Sequence, residues 1–145
     1  MLQTEKQQLR RYYREARRTL SSDEKRFIDC KISDNLLKSD LYRDAACIFC
    51  YVSTSDEIGT AAILEQALTD GKTLCVPLCG RAGEMSARRI LSLDELKSGA
   101  YGIPEPSSGA EFRSSLFLRS RATETATVSA MEAAITIVFL PGPAL

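Results

Sequence analysis

Residues 46–60 read Ala-Cys-Ile-Phe-Cys-Tyr-Val-Ser-Thr-Ser-Asp-Glu-Ile-Gly-Thr, and this stretch decides the fold. Its first seven residues are almost wholly apolar and rich in β-formers. A short apolar run bounded by polar residues predicts a strand buried on both faces. A polar turn carrying Asp56 and Glu57 follows. A helix is then expected from Thr60, with Ile63, Leu64, Ala67 and Leu68 along one stripe. Asp70-Gly71 ends that helix, and residues 73–77 (Thr-Leu-Cys-Val-Pro) predict a second buried strand. Strand, helix and strand make one βαβ unit, with a right-handed crossover by default. Ligands of such sheets bind beyond the carboxyl ends of the strands. Asp56 and Glu57 stand at that end of the first strand, so chemistry is expected there.

The composition narrows that chemistry. At 145 residues the chain has the size of one domain, long enough to bury a core without staples. Nineteen cationic residues balance nineteen acidic ones, so no global field draws in nucleic acid or a membrane surface. Histidine is absent, which removes the commonest general base and the commonest zinc ligand. Carboxylates, Lys, Arg, backbone groups or an oxygen-bound metal must carry any reaction. The five cysteines are odd in number, and the N-terminus lacks an apolar signal core, so a reducing, cytoplasmic location is expected. Cys47 and Cys50 form a CxxC, but a spacing of three on a strand sends the two side chains to opposite faces. A core role is the reading for both. The longest apolar stretch, residues 133–145, is too short to span a bilayer.

Upstream, residues 3–20 predict a helix whose buried stripe is Leu9, Tyr12, Tyr13, Ala16 and Leu20. The remaining surface is basic: Lys6, Arg10, Arg11, Arg14, Arg17 and Arg18 stand against Glu5 and Glu15 alone. Lys6, Arg10 and Arg17 fall close to one line, since steps of four and seven return to the same face. That line reads either as a solvated basic face or as a clamp for phosphate oxygens, with Lys a point charge and Arg a fork. Ser21 and Glu24 form a capping box that starts a second helix, with Ile28, Ile32 and Leu36 toward the core. Residues 39–45 read as a connection.

Downstream, residues 78–84 read as a loop and residues 85–90 as a short strand, exposed because Arg88 and Arg89 lie in it. Ser92 and Glu95 form another capping box, for a short helix stopped by Gly99. Residues 101–106 (Tyr-Gly-Ile-Pro-Glu-Pro) predict an ordered extended loop. Residues 111–131, rich in Ser, Thr and Arg, are the least readable, and residues 119–129 are assigned no element. Residues 135–140 (Ile-Thr-Ile-Val-Phe-Leu) give the strongest strand signal in the chain. A central strand of a parallel sheet needs a covering helix after it. The sequence stops at Leu145, so this strand is expected either at an edge or in a fragment whose exposed apolar surface drives self-association.

Taken together, these segments resemble the 5-formyltetrahydrofolate cyclo-ligase (methenyltetrahydrofolate synthetase) family. The likeness is carried by Lys6-Gln-Gln-Leu-Arg10, by residues 51–60 with Asp56-Glu57-Ile58 inside them, and by Gly71-Lys72 before the strand ending at Pro77. It continues with Gly102-Ile103-Pro104-Glu105-Pro106 and with residues 137–142, ending in Pro-Gly. Each motif is weak alone; their order and spacing make the match specific. The resemblance implies an α/β three-layer sandwich around a mainly parallel sheet, incomplete at the C-terminus, formed by residues 1–145 as a single domain. It implies ATP-dependent closure of 5-formyltetrahydrofolate to 5,10-methenyltetrahydrofolate. The formyl oxygen is phosphorylated by MgATP, N10 attacks the activated carbon, and phosphate leaves. A monomer is implied as well. Lys6 and Arg10 match ATP-phosphate positions. Glu57 matches a folate-contacting carboxylate, Val52 an apolar wall of the folate pocket, and Tyr101 an aromatic near the pterin.

The family continues past its Pro-Gly with an acidic stretch and a glycine-rich loop that cradles phosphate and carries the metal-binding aspartates. The sequence ends where that loop begins, which predicts a truncated chain with little activity alone. The alternative expectation is a non-catalytic α/β module that binds folate or nucleotide through Lys6, Arg10 and Glu57. A nucleic-acid role for the basic helix finds no support in the neutral net charge or in any interleaved aromatics.

Overall fold

The structure is a computed structural model that describes residues 2–79, 85–99, 102–106, 125–130 and 133–141. Its elements run α1 (Leu2–Arg18), α2 (Ser22–Leu37), α3 (Asp40–Asp44), β1 (Ala45–Phe49), α4 (Ala61–Thr69), β2 (Thr73–Cys79) and β3 (Met85–Ile90). A 3-10 turn (Leu93–Glu95) follows, then β4 (Leu96–Ser98), β5 (Pro104–Pro106), β6 (Thr125–Ala130) and β7 (Ala133–Pro141). The class is α/β. No helix among the described residues is long and apolar enough to cross a membrane.

The predicted βαβ unit is present. β1 and β2 pair in parallel, with Ile48 opposite Leu74. α4 begins after Thr60 and ends where Gly71 takes φ +71°, a conformation that costs only glycine nothing. Ile63, Leu64 and Ala67 of α4 are buried against Ile48, Leu74, Val76 and Ile90 of the sheet. Ile32 and Leu36 of α2 join the same core, as does Tyr42 of α3. Cys47, Cys75 and Ala87 form a smaller cluster with Phe49. Cys50 belongs to the main core. The CxxC therefore splits across two clusters, as strand geometry requires. Burial lifts the Cys50 thiol to about 12, which keeps it protonated at neutral pH.

The sheet itself corrects the expectation of a mainly parallel one. Its order is β3-β2-β1-β7-β6, and only β1–β2 is parallel among the four pairings. The reason lies in the connections. Two residues separate β6 from β7, and a link that short reaches only an antiparallel neighbour. β7 is also not at an edge: it lies between β1 and β6, with Phe49 opposite Val138 and Thr125 opposite Val138 on the other side. Helices α2, α3 and α4 contribute to the main core, while the smaller cluster draws on strand residues alone among those described.

Other boundaries shift for local reasons. Residues 39–45 contain the one-turn helix α3, capped by the Ser39 hydroxyl accepting from the Tyr42 N–H. The Ser92–Glu95 capping box closes a 3-10 turn rather than a longer helix, and β4 follows at once to pair with β5. Within the stretch 119–129 to which the sequence assigns no element, Thr125 begins β6, which runs to Ala130. β3 forms over residues 85–90 as expected and lies at the sheet edge; Arg89 is exposed, yet Ala87 and Ile90 are buried.

The stripe predicted on α1 is not a core stripe. Leu9 is 54% and Tyr12 64% exposed, while Tyr13, Ala16 and Leu20 are half-buried. Helical periodicity makes a face apolar without supplying a surface to cover it. α1 meets the rest of the described fold at its C-terminal end.

Candidate functional site

The turn after β1 is built by its own hydrogen bonds. The Ser53 N–H donates to Thr60 Oγ1 at 3.1 Å, and the Thr60 N–H donates back to Ser53 Oγ at 3.0 Å. Thr60 Oγ1 also donates to the Tyr51 carbonyl at 2.9 Å, and the Tyr51 hydroxyl reaches the Ile58 carbonyl at 3.0 Å. Thr60 is 1% exposed, so these partners replace water that cannot reach it. Inside this frame the Glu57 N–H donates to the Thr54 carbonyl at 3.2 Å. Glu57 Oε2 accepts from the Thr54 N–H at 2.8 Å. Glu57 is half-buried, and its Oε1 has no hydrogen-bond partner among the described residues.

The neighbouring carboxylate is taken. Asp56 Oδ2 accepts from Arg18 Nη2 at 2.8 Å and Nε at 3.2 Å, and the Asp56 carbonyl accepts from Arg17 Nε at 2.9 Å. The Arg18 hydrogen bonds, reinforced by its charge, hold the Asp56 carboxyl below the usual aspartate range. Beneath this junction is a recess of about 190 Å³, lined in part by Arg17, Lys25, Asp29 and Glu57. Lys25 Nζ pairs with Asp29 Oδ2 at 2.6 Å. Asp29 Oδ1 is buried without a hydrogen-bond partner among the described residues. Gly59 gives the Asp29 carboxylate room, since a Cβ there would lie 2.9 Å from Oδ2.

Of the residues singled out in the sequence, Glu57 stands in this turn. Val52 is 9% exposed and belongs to the main core, together with Ile58 of the turn. Lys6 and Arg10 are exposed on the N-terminal half of α1, and neither makes a hydrogen bond or ion pair among the described residues. They do not touch the turn. Helical rise sets Arg10 about 10 Å and Lys6 about 16 Å along the axis from Arg17. Both share the helix face that Arg17 turns toward Asp56. A row of cations thus starts at the acidic turn and runs outward. Tyr101 lies outside the described residues. Among those residues no three His, Cys, Asp or Glu side chains gather as a metal centre.

Sequence reading did not join Arg17 and Arg18 to Asp56, because the contacts cross 38 and 39 positions of chain. Asp29 gave no signal either, being one acid in a polar helix face. Gly71-Lys72, part of the motif set, has a structural role at the other end of the strands. Lys72 Nζ donates to the Ala45 carbonyl at 2.6 Å and sits 4.8 Å from the Tyr42 ring centroid. The Tyr42 hydroxyl donates to Asp70 Oδ2 at 2.6 Å.

The sequence profile of the 5-formyltetrahydrofolate cyclo-ligase family matches residues 2–145. The chain belongs to this family. Among solved structures it is similar to the 5,10-methenyltetrahydrofolate synthetase of Aquifex aeolicus, determined by NMR, with 28% identity and a TM-score of 0.65. The match covers 77% of this chain and 55% of that one, so this chain spans little more than half the length of that relative. No curated protein sequence matches it. Membership accounts for the α/β fold.

Proposed function

We propose that this chain is an ATP-dependent cyclo-ligase that converts 5-formyltetrahydrofolate to 5,10-methenyltetrahydrofolate. The observation that carries the reading is the junction of α1 with the acidic turn. One helix holds the turn bearing Glu57 at its C-terminal end and carries Lys6 and Arg10 on the same face, in its N-terminal half and at its middle.

The roles follow from charge and position. Glu57 Oε1 accepts N–H groups of the pterin, and its other oxygen is already fixed by the Thr54 N–H. Lys6 and Arg10 hold triphosphate oxygens, as a point charge and a fork. Magnesium on those oxygens would neutralise charge during transfer. Val52, buried in the main core, is assigned the apolar wall of the folate pocket. Tyr101 is assigned the aromatic contact with the pterin on the family likeness alone. In the reaction the γ-phosphoryl group passes to the formyl oxygen. N10 then closes on the activated carbon and inorganic phosphate departs. Positioning and charge neutralisation do most of the work in such a transfer, and neither requires histidine.

The test is the ATP-dependent appearance of methenyl-folate absorbance with the purified chain, run beside calorimetric titration of 5-formyltetrahydrofolate and of ATP. Turnover supports the proposal. Folate binding without turnover would replace it with a non-catalytic folate-binding module, and binding of neither ligand would overturn both.

A further inference from the structure

α1 is attached to the described fold in an unusual way. Its apolar side chains contribute little, with Leu9 and Tyr12 more than half exposed. Every hydrogen bond that an α1 side chain makes to another element, among the described residues, goes to Asp56. Two consecutive arginines grip this one residue at two points. Arg17 takes its carbonyl, and Arg18 takes its carboxylate with both Nε and Nη2.

What they grip is not passive. Asp56 lies inside the four-residue turn closed by the Glu57 N–H on the Thr54 carbonyl, with the Glu57 carboxylate bonded to the Thr54 N–H. A shift of the Asp56 peptide must therefore re-aim Glu57 Oε1. Further along the same rod stand Arg10, at its middle, and Lys6, one turn from its N-terminus. An α-helix of 17 residues is stiff along its length of about 25 Å, so a ligand that fixes one end fixes the direction of the other.

We propose that Arg17 and Arg18 are positioning residues that couple the nucleotide and folate sites through Asp56. This rests on the function proposed above. Before nucleotide binds, α1 is tied to the fold chiefly at its C-terminal end, so the direction of its N-terminal half is not set. Phosphate oxygens held by Lys6 and Arg10 anchor the free end. The arginine grip then fixes the peptide next to Glu57, so folate meets a preorganised acceptor. Linkage is reciprocal: folate must tighten nucleotide binding by the same factor.

The experiment is calorimetric titration of 5-formyltetrahydrofolate into the full chain, with and without a saturating non-hydrolysable ATP analogue and magnesium. The unmodified chain is expected to bind folate about five-fold or more tightly when the analogue is present, the lower bound of ordinary site-to-site coupling. Arg18→Ala, Arg17→Ala and Asp56→Asn are each expected to bring that ratio toward one. Arg18→Lys keeps the charge but loses the fork, and should retain part of the ratio. A merely structural loss would weaken folate binding equally in both conditions and leave the ratio unchanged. Circular dichroism checks that each variant folds; should Arg18→Ala fail to fold, Arg18→Lys and Asp56→Asn carry the test. Binding of both ligands with a ratio near one in the unmodified chain, or a ratio that survives in the variants, overturns the coupling alone. Binding of neither ligand overturns the proposed function and this inference together.

Discussion

Ser53 and Thr60 close the acidic turn on itself, each backbone N–H donating to the other's hydroxyl oxygen at 3.1 and 3.0 Å. The pair fixes the distance between the end of the β1 segment and the start of α4, whatever the turn between them binds. Thr60→Val keeps the shape but removes the acceptor of the Ser53 N–H and the donor to Tyr51. A buried group left unpaired costs about 1–3 kcal/mol. Urea unfolding is expected to show a loss of that size, with weakened folate binding. An unchanged midpoint would mean that the turn is held by other contacts.

Glu57→Gln and Lys6→Ala are expected to separate the two ligands. Exchange of the Glu57 carboxylate for an amide removes charge-assisted hydrogen bonds, each worth about 1.5–3 kcal/mol, so folate affinity should fall about ten-fold or more. ATP affinity measured without folate should hardly change. Lys6→Ala and Arg10→Ala should do the reverse, weakening ATP binding in a salt-dependent way. Equal effects of all three on both ligands would contradict the assignment of roles.

Acid should destabilise the protein through a particular set of carboxylates. Arg18 hydrogen bonds lower the Asp56 carboxyl, the Tyr42 hydroxyl lowers Asp70, and capping N–H groups lower Glu24 and Glu95. Their ordinary values are 3.8 for Asp and 4.5 for Glu. A group with a depressed folded value stabilises fully above its unfolded value and loses that contribution as pH falls through the folded one. The urea midpoint should therefore decline as pH drops below about 4.5, because the unfolded chain takes up protons first. Asp56→Asn should flatten part of that slope. A midpoint that rose on acidification would contradict the arrangement.

The parallel pair carries the core. Ile48 and Leu74 are opposite each other in register, and neither is exposed. Leu74→Ala should cost about 2–5 kcal/mol, the range for a buried leucine whose site cannot collapse. Calorimetric melting would read this directly, and a loss well under 1 kcal/mol would show that the sheet centre repacks.

The βαβ unit was legible because its signals are local and redundant: an apolar run, a stripe of period 3.6, a glycine stop and a second run. Both capping boxes were legible for the same reason. β6 was not, since Thr-Ala-Thr-Val-Ser-Ala alternates small residues whose strand character emerges only on pairing with β7. Parallel and antiparallel partners look alike in a single strand, so residues 133–141 carry no signal that β7 lies between β1 and β6. On α1 the periodicity was genuine and the burial was not. At the site, Glu57 could be found from the acidic turn and its likeness to the family. The arginine grip could not, because sequence places Arg18 and Asp56 38 positions apart and says nothing of which acid an exposed guanidinium meets.

The position of β7 has a bearing on how the molecule is made. Cys47 is opposite Leu140, so β1 completes its hydrogen bonding only with a strand translated more than ninety residues later. During synthesis, β1 and β2 leave the ribosome well before that partner. Pairings so distant in the chain form slowly, and an unpaired strand flank invites wrong neighbours in the meantime. The nascent first half should therefore depend on chaperone shielding until the late strand arrives to seal it.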